Sequence, residues 1–206
     1  MAKAVWLTAS PSSGTVNGTV SVSGSEHTGR ITRTTQLTFA ATGATSQVVT
    51  VNQSSPGNVT TASTPGTVAK EGATVIVSGT SNSTMLTIAV TGTGFTMSTT
   101  APVTEISTDG GTTWTTITSG TAISGDPGAT ATYQWRTRVI VAANTTVSSR
   151  TGTLTVTPAE GTAATATITQ SAGDATLSVT PTTITLVAAG TAQNITVTSN
   201  TSWTAS

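Results

Sequence analysis

The chain lacks most of the residues on which covalent and metal chemistry depends. Its 206 residues include no cysteine and one histidine, which excludes disulfides and thiolate metal sites. Charged residues make up 7%, with seven acidic against seven basic side chains, whereas an average soluble protein has roughly 25%. A neutral chain without a basic patch is not expected to bind nucleic acid. No run of about 18 apolar residues is present, so we predict no membrane insertion.

Helix signals are nearly absent, and an alternation of apolar and polar residues runs through the chain instead. Clear examples are Gln47–Gln53, residues 73–78 and residues 134–141. Short alternating stretches separated by Gly, Pro, Ser and Asn are typical of β-sandwiches. Threonine is abundant and favours strands because it is β-branched. The sequence therefore predicts an all-β protein.

Two halves of the chain share an internal repeat. Arg33–Phe39 aligns without gaps on residues 150–156, an offset of 117 (150 − 33). The same offset places residues 51–54 on residues 168–171, so that both copies close in Gln-Ser. A strand, a turn and a second strand have therefore been used twice, which is the signature of tandem units.

A second repeat carries a family resemblance. Residues 61–68 resemble residues 177–184 at an offset of 116 (181 − 65 at the prolines). Residues 177–206, with a strand near Pro181, a second strand and then Ser-Asn-x-x-Trp, resemble the first half of a BACON domain. The second half of that Ig-like module ends in an Arg-x-x-x-Leu-x-Val strand and a strand closing in Gln. Matching residues occur twice, at 33–53 and 150–170. The resemblance implies tandem immunoglobulin-like β-sandwiches, as found in Bacteroidetes proteins and their phages.

The order of these halves predicts a split domain. We expect residues 1–54 to be the C-terminal half of a sandwich, residues 55–173 to be a complete sandwich, and residues 174–206 to be an N-terminal half. An incomplete sandwich exposes strand edges and a core face, which natural proteins avoid. Residues 174–206 are therefore expected to complete residues 1–54 of the same chain or, by strand addition, of a neighbouring copy. Closure between copies would build rings or filaments.

No catalytic, metal or cofactor site is predicted. His27 lies beside Glu26 in a turn, and we interpret it as a solvated loop residue because general acid–base catalysis needs convergent partners. The acidic residues are scattered singly, with no pair resembling the two carboxylates of a glycosidase: Glu26, Glu71, Glu105, Asp109, Asp126, Glu160 and Asp174.

Residues 107–114 form the one further motif. Their sequence, Ser-Thr-Asp-Gly-Gly-Thr-Thr-Trp, is similar to the Asp-box of sialidase-like propellers, where the motif is structural. Asp-Gly supplies the positive φ angles of a tight turn. One copy does not make a propeller, so we predict a hairpin with Trp114 packed beneath it.

The few large aromatic residues are the candidates for ligand contact, because aromatic rings stack on sugar faces. Core packing is the favoured interpretation, since an Ig-like unit commonly buries one tryptophan. Tyr133 and Trp135 lie on one face of a predicted strand by period two. If that face is exposed, these two residues are the candidate glycan-stacking pair.

The first six residues contain no apolar stretch typical of a signal peptide. If the natural chain begins at Met1, we expect it not to be exported by the usual route. It would then act in the cytoplasm, or leave by lysis inside an assembled particle.

These features favour a non-enzymatic structural protein of a bacteriophage virion: a head decoration, fibre-base or tail-associated subunit that assembles by β-strand complementation. Its partners would be other copies of itself, other virion proteins and surface glycans. One alternative is a secreted carbohydrate-binding or adhesion module of a gut bacterium, and another is an extracellular filament subunit. Both alternatives place the protein outside the cell or at a cell surface.

Overall fold

The computed structural model describes residues 3–100 and 103–206. Residues 1–2 of the first predicted segment and residues 101–102 of the second lie outside the described residues. Within this described part, regular structure consists of fourteen strands and one 3-10 turn at Pro127–Ala129, so the predicted all-β class is confirmed. None of the described helical structure has the length and apolar character needed to cross a membrane.

Residues 3–54, the N-terminal unit, form two separate hairpin-like pairs. Strands β1 (Leu7–Ser10) and β2 (Ser21–Gly24) pair antiparallel, and so do β3 (Arg33–Phe39) and β4 (Gln47–Gln53). Most side chains of these four strands are exposed or half-buried, and Leu7 is fully buried. The unit therefore has the strands of a sandwich without a closed core.

Residues 55–173, the middle unit, form a closed sandwich of two antiparallel sheets. Its strands are β5 (Ala73–Ser81), β6 (Leu86–Thr91), β7 (Phe95–Met97), β8 (Thr104–Ser107), β9 (Thr115–Thr116), β10 (Tyr133–Val141), β11 (Arg150–Pro158) and β12 (Ala164–Gln170). One sheet has the order β5-β10-β8-β9 with β7 also on β10, and the other has the order β12-β11-β6. The apolar core between them includes Trp135, Leu86, Leu154 and Ile168. These two facing sheets are the predicted Ig-like sandwich architecture.

A first edge segment of the middle unit ties both sheets together. Residues 60–63 lie along β5, where Thr61 N–H donates to the Thr80 carbonyl at 2.8 Å and Ser63 N–H to that of Ser78 at 2.8 Å. The chain then crosses to the other sheet, where Val68 forms a parallel bridge with Gln170. Closure of the sandwich thus depends on this segment.

Residues 174–206, the C-terminal segment, contain one more antiparallel pair. Strand β13 (Leu177–Thr180) lies against β14 (Thr196–Ser199). An apolar groove runs over this pair, lined by Leu177, Val179, Ile195, Val197 and Trp203 among others. The segment is largely exposed. How the N-terminal unit and the C-terminal segment are completed stays a prediction.

Asn82 joins the N-terminal unit to the middle unit. Its Nδ2 donates to the Thr28 carbonyl at 3.2 Å and to the Gly57 carbonyl at 2.8 Å, and its Oδ1 accepts from Val59 N–H at 2.8 Å. Asn82 is completely buried, and all three hydrogen bonds are partly buried. This first junction lies at the Tyr133 end of β10, where Tyr133 pairs with Ser81.

Asn200 makes the same contacts at a second junction, between the middle unit and the C-terminal segment. Its Nδ2 donates to the carbonyls of Thr145 at 3.0 Å and Asp174 at 2.8 Å, and its Oδ1 accepts from Thr176 N–H at 2.9 Å. This junction follows Val141, at the opposite end of β10. The chain is therefore a linear array in which one unit-to-unit contact is used twice.

An ion pair and a close backbone approach reinforce the first junction. Arg30 N–H donates to the Gly128 carbonyl at 3.0 Å, and its guanidinium makes a bidentate ion pair with Asp126, with one bond of 2.6 Å. A Cβ at Gly128 would lie 2.0 Å from the Asn82 carbonyl oxygen, so only glycine fits there. The Arg30 guanidinium lowers the pKa of the Asp126 carboxyl.

Candidate binding surfaces

Tyr133 and Trp135 do not form a ligand-stacking pair, because both rings lie in the core of the middle unit. The Tyr133 hydroxyl donates to the Ser83 carbonyl at 2.8 Å, and the Trp135 indole N–H donates to that of Thr61 at 3.0 Å. Burial raises the pKa of Tyr133 to about 12, since the phenolate would be poorly solvated there. The favoured interpretation, core packing, describes both side chains, and the weaker stacking hypothesis for this pair is wrong.

The opposite face of β10 carries the candidate site instead. Gln134 and Arg136 alternate with the buried aromatic residues and point outward, toward an open groove on the sheet. The Trp114 indole lies over Arg136, with the guanidinium carbon 3.9 Å from the ring centroid. The period-two pattern of β10 already separates Gln134 and Arg136 from Tyr133 and Trp135. Which of the two faces would be covered was not evident from that periodicity.

A tightly bonded hairpin holds Trp114 in place. Strands β8 and β9 pair antiparallel around residues 108–114, as predicted for the Asp-box-like motif. Asp109 accepts hydrogen bonds from the hydroxyl of Ser107 at 2.7 Å and from the backbone and hydroxyl of Thr113 at 2.9 and 2.6 Å. These hydrogen bonds to its charged form lower the pKa of Asp109. The Trp114 indole N–H donates to the Gly111 carbonyl at 2.9 Å.

Glu105 forms an ion pair with Arg136 and fixes the position of its guanidinium. Its Oε2 accepts from Arg136 Nε at 2.8 Å and from Arg138 Nη1 at 3.3 Å. The Glu105 side chain is buried and the two arginines are half-buried. Its pKa is lowered, first by the hydrogen bond from Arg136. Arg136 therefore serves mainly as a rigid flat surface beneath the indole.

The groove combines one aromatic surface with neutral polar groups. Its lining includes the hydroxyls of Ser63, Ser78 and Thr80, the amide of Gln134 and the exposed side chain of Ile76. Trp114 is half-buried, so part of the indole is accessible. Amide and hydroxyl groups donate and accept hydrogen bonds without net charge. This combination suits a polar ligand that has one apolar face.

The acidic residues are used in structural contacts at several positions. Glu105, Asp109 and Asp126 are bonded as described above, and Asp174 forms an ion pair with Lys70. Within residues 3–100 and 103–206, no three His, Asp or Glu side chains are grouped in a way that could hold a metal.

His27 is buried, which corrects its interpretation as a solvated residue. Its Nε2 lies 2.7 Å from the Ile31 carbonyl, so Nε2 carries the proton because a carbonyl oxygen only accepts. Nδ1 is buried without a partner in the described part of the chain. His27 stands where the repeat places Asn144 (27 + 117), whose Nδ2 donates to the Ser148 carbonyl at 2.9 Å. A structural role in a repeated turn explains its position.

Comparison with known proteins confirms part of the family resemblance. Residues 1–54 match the BACON family, described as "Putative binding domain, N-terminal". No curated protein matches the chain.

Among solved structures, the chain is similar to the crystal structure of the collagen binding domain of Erysipelothrix rhusiopathiae surface protein RspB. The sequence identity is 9%, and the alignment covers 74% of this chain and 63% of that chain, so the chain spans less than two thirds of its length. The TM-score is 0.24, which is too low to carry an argument about function.

Proposed function

We propose that this protein is a non-enzymatic binding and adhesion module that acts outside the cell or at a cell surface, and that it holds a glycan in the groove beside Trp114. The match of residues 1–54 to a binding-domain family supports the general class. The observation that carries the site is the Trp114 indole, stacked on Arg136 over an open sheet face lined by neutral hydroxyl and amide groups.

Binding would use the two kinds of surface in the groove. The apolar face of a pyranose ring packs on the accessible part of the indole, since sugar C–H groups are weakly positive and the ring face is negative. Gln134 and the hydroxyls of Ser78 and Thr80 exchange hydrogen bonds with sugar hydroxyls. Because Arg136 is already paired with Glu105, the sugar is held by the indole and the neutral polar groups, and a neutral glycan is sufficient.

A glycan array with matched tryptophan variants tests the site. Trp114→Ala should reduce binding of the best-bound neutral glycan at least tenfold, and Gln134→Ala should weaken it less. Trp203→Ala is the control, because Trp203 is exposed but does not line the groove. Equal binding by Trp114→Ala and the unmodified protein would eliminate this site.

The second candidate function is that of a structural subunit assembled by β-strand complementation, as in a bacteriophage virion or an extracellular filament. It is favoured by the open apolar surfaces of both terminal parts, including Val22 and Phe39 in the N-terminal unit and Leu177 and Trp203 in the C-terminal segment. The comparisons do not support the virion role, so the extracellular or cell-surface role comes first. Gel analysis of purified virions distinguishes them: a virion protein must give a band whose peptides match this sequence in mass spectrometry.

A further inference from the structure

The closed middle unit provides a template for what the N-terminal unit lacks. In the middle unit, Arg150 Nε donates to Gln170 Oε1 at 2.7 Å and Arg150 Nη2 to the Ala142 carbonyl at 2.8 Å. In the N-terminal unit, Arg33 Nε donates to Gln53 Oε1 at 3.0 Å and Arg33 Nη2 to the Ser25 carbonyl at 2.7 Å. The residue numbers of the three corresponding pairs, 33 and 150, 53 and 170, and 25 and 142, each differ by 117. The same hydrogen-bonded frame is therefore built in both units.

The correspondence extends to the first strand pair. Ser25 N–H donates to the Trp6 carbonyl at 2.8 Å, as Ala142 N–H donates to that of Gly94 at 2.8 Å. Leu7 pairs with Gly24 in β1 and β2, and Phe95 pairs with Val141 in β7 and β10. Strands β1 to β4 therefore correspond to β7, the end of β10, β11 and β12. Within residues 3–54 there are no counterparts of the residue 60–68 segment, β5, β6, β8 or β9.

The missing strand has a vacant place along β4. In the middle unit, Val68 N–H donates to the Thr169 carbonyl at 2.8 Å, and Ser171 N–H donates to that of Val68 at 2.9 Å. Gln170 Nε2 adds bonds to the carbonyls of Ala69 and Lys70 at 3.1 and 3.3 Å. In the described residues, β4 has β3 as its one neighbour. Its outer edge is an unpaired template for another strand.

The core positions of the N-terminal unit are open where those of the middle unit are closed. Val22 is 44% exposed and Phe39 is 43% exposed, whereas their counterparts Val139 and Val156 are both 0% exposed. This apolar surface is the kind that proteins cover with a partner.

The C-terminal segment contains the missing counterpart. Ile184 corresponds to Val68 at the offset of 116, and it is 38% exposed where Val68 is 5% exposed. Apart from Asp174, residues 174–206 carry no charged side chain, and within β3 and β4 only Arg33 is charged. Neither edge therefore has the charged residues that normally block strand addition.

Closure within one chain is opposed by the geometry of the array. The two junctions lie at opposite ends of the nine-residue strand β10, about 27 Å apart at the usual rise per residue. Asn200 holds the C-terminal segment in the position that a following unit takes, with the contacts that Asn82 makes at the first junction. The segment thus points away from the N-terminal unit of its own chain.

We infer that residues 174–206 of one copy add the counterparts of the residue 60–68 segment and of β5 to the N-terminal unit of a second copy, with Ile184 in parallel register along Gln53. In this register Ile184 N–H donates to the Asn52 carbonyl, and Ser54 N–H donates to the Ile184 carbonyl. The junction used twice within the chain then continues from copy to copy. Such head-to-tail contacts make a filament, or a ring if the rotation closes. This inference goes beyond the glycan proposal and does not depend on it.

Cysteine pairs in the full-length chain test the register, since the natural sequence has no cysteine. Parallel neighbours lie about 4.8 Å apart, within the span of a disulfide. The double variant Ile184→Cys with Gln53→Cys should give a ladder of dimers, trimers and larger species on a non-reducing gel after mild oxidation. An equimolar mixture of the two single variants should give cross-linked dimers without longer species.

The control pair is Thr183→Cys with Gln53→Cys, because residue 183 points to the other face of the same strand. Its ladder should be at least fivefold weaker. A fast-migrating monomer without a ladder would show closure within the chain and overturn the inference. Equally strong ladders from both pairs would overturn the proposed register.

Light scattering on variants without added cysteine provides an independent measurement. Ile184→Asp should abolish species larger than one chain, whereas Thr183→Asp should leave them unchanged. Both variants should keep glycan binding, since the Trp114 groove lies in the middle unit. Trp114→Ala should keep assembly, so failure of either proposal is recognised separately. An Ile184→Asp protein that assembles like the unmodified chain contradicts the inference.

Discussion

The middle and N-terminal units share one hydrogen-bonded frame and differ in whether it is closed. The Arg–Gln–carbonyl network is present in both, yet Leu154 is fully buried and its counterpart Leu37 is half-buried. The local strands are enough to build the frame, because its partners are close in sequence. In the middle unit, the segment containing Val68 and strands β5, β6 and β8 cover this frame and exclude water from the core. Burial, and with it stability, comes from the half that the N-terminal unit lacks.

The largest contrast is expected from the same substitution in both units. Leu154→Ala should lower the free energy of unfolding of the middle unit by about 2–5 kcal/mol, since it leaves a cavity in a closed core. Leu37→Ala should cost clearly less in dilute protein, because water already reaches this side chain. Denaturant titration followed by tryptophan fluorescence measures both. Equal costs would mean that the N-terminal core is closed in the free chain.

Replacing the glutamine of each network should give the next largest difference. Gln170→Ala removes the partner of three carbonyls and of Arg150 in a dry site, at a cost of about 2–3 kcal/mol. Gln53→Ala should cost less, because water replaces its bonds. Urea unfolding of the two variants at low concentration checks this order. A larger loss from Gln53→Ala would show that Gln53 is not the more water-accessible of the two glutamines.

The two asparagine junctions should differ in the same sense. Asn82→Ala removes three partly buried hydrogen bonds and should destabilise the first junction by about 1–2 kcal/mol. Limited proteolysis near residues 55–58 should become faster. The matched variant Asn200→Ala removes the same three bonds in an exposed setting and should have a smaller effect. Were the rates unchanged by Asn82→Ala, the first junction would not depend on this side chain.

The smallest expected effect is an acid-induced weakening of the middle unit. The pKa of Glu105 is lowered by Arg136, so this carboxylate contributes stability above its unfolded value of about 4.3. That contribution is lost as the pH falls through the lower folded value. Glu105→Gln should reduce the fall in melting temperature between about pH 4 and pH 2. Because Asp109 and Asp126 also have lowered pKa values, part of the pH dependence should persist. An unchanged pH profile would rule out a role for Glu105.

Much of the fold could be predicted because strand alternation and the internal repeat are local or directly comparable features. The hairpin at residues 107–114 followed from its Asp-Gly turn. The position of the candidate site could not be predicted from the sequence. The period-two pattern of β10 defines two faces but does not show which face packs against the other sheet. The prediction of a solvated His27 is wrong, because the position of a residue in a turn does not show whether its side chain points toward solvent or toward the protein.

The order of the residues was sufficient to establish an all-β chain with a repeated strand pair, since these properties depend on periodicity and spacing. The folded arrangement was needed to show that Tyr133 and Trp135 face inward, that Trp114 lies on Arg136, and that the two junctions occupy opposite ends of β10. These features arise from contacts between residues distant in the chain. Such contacts depend on how the sheets pack and on which apolar side chains this packing buries.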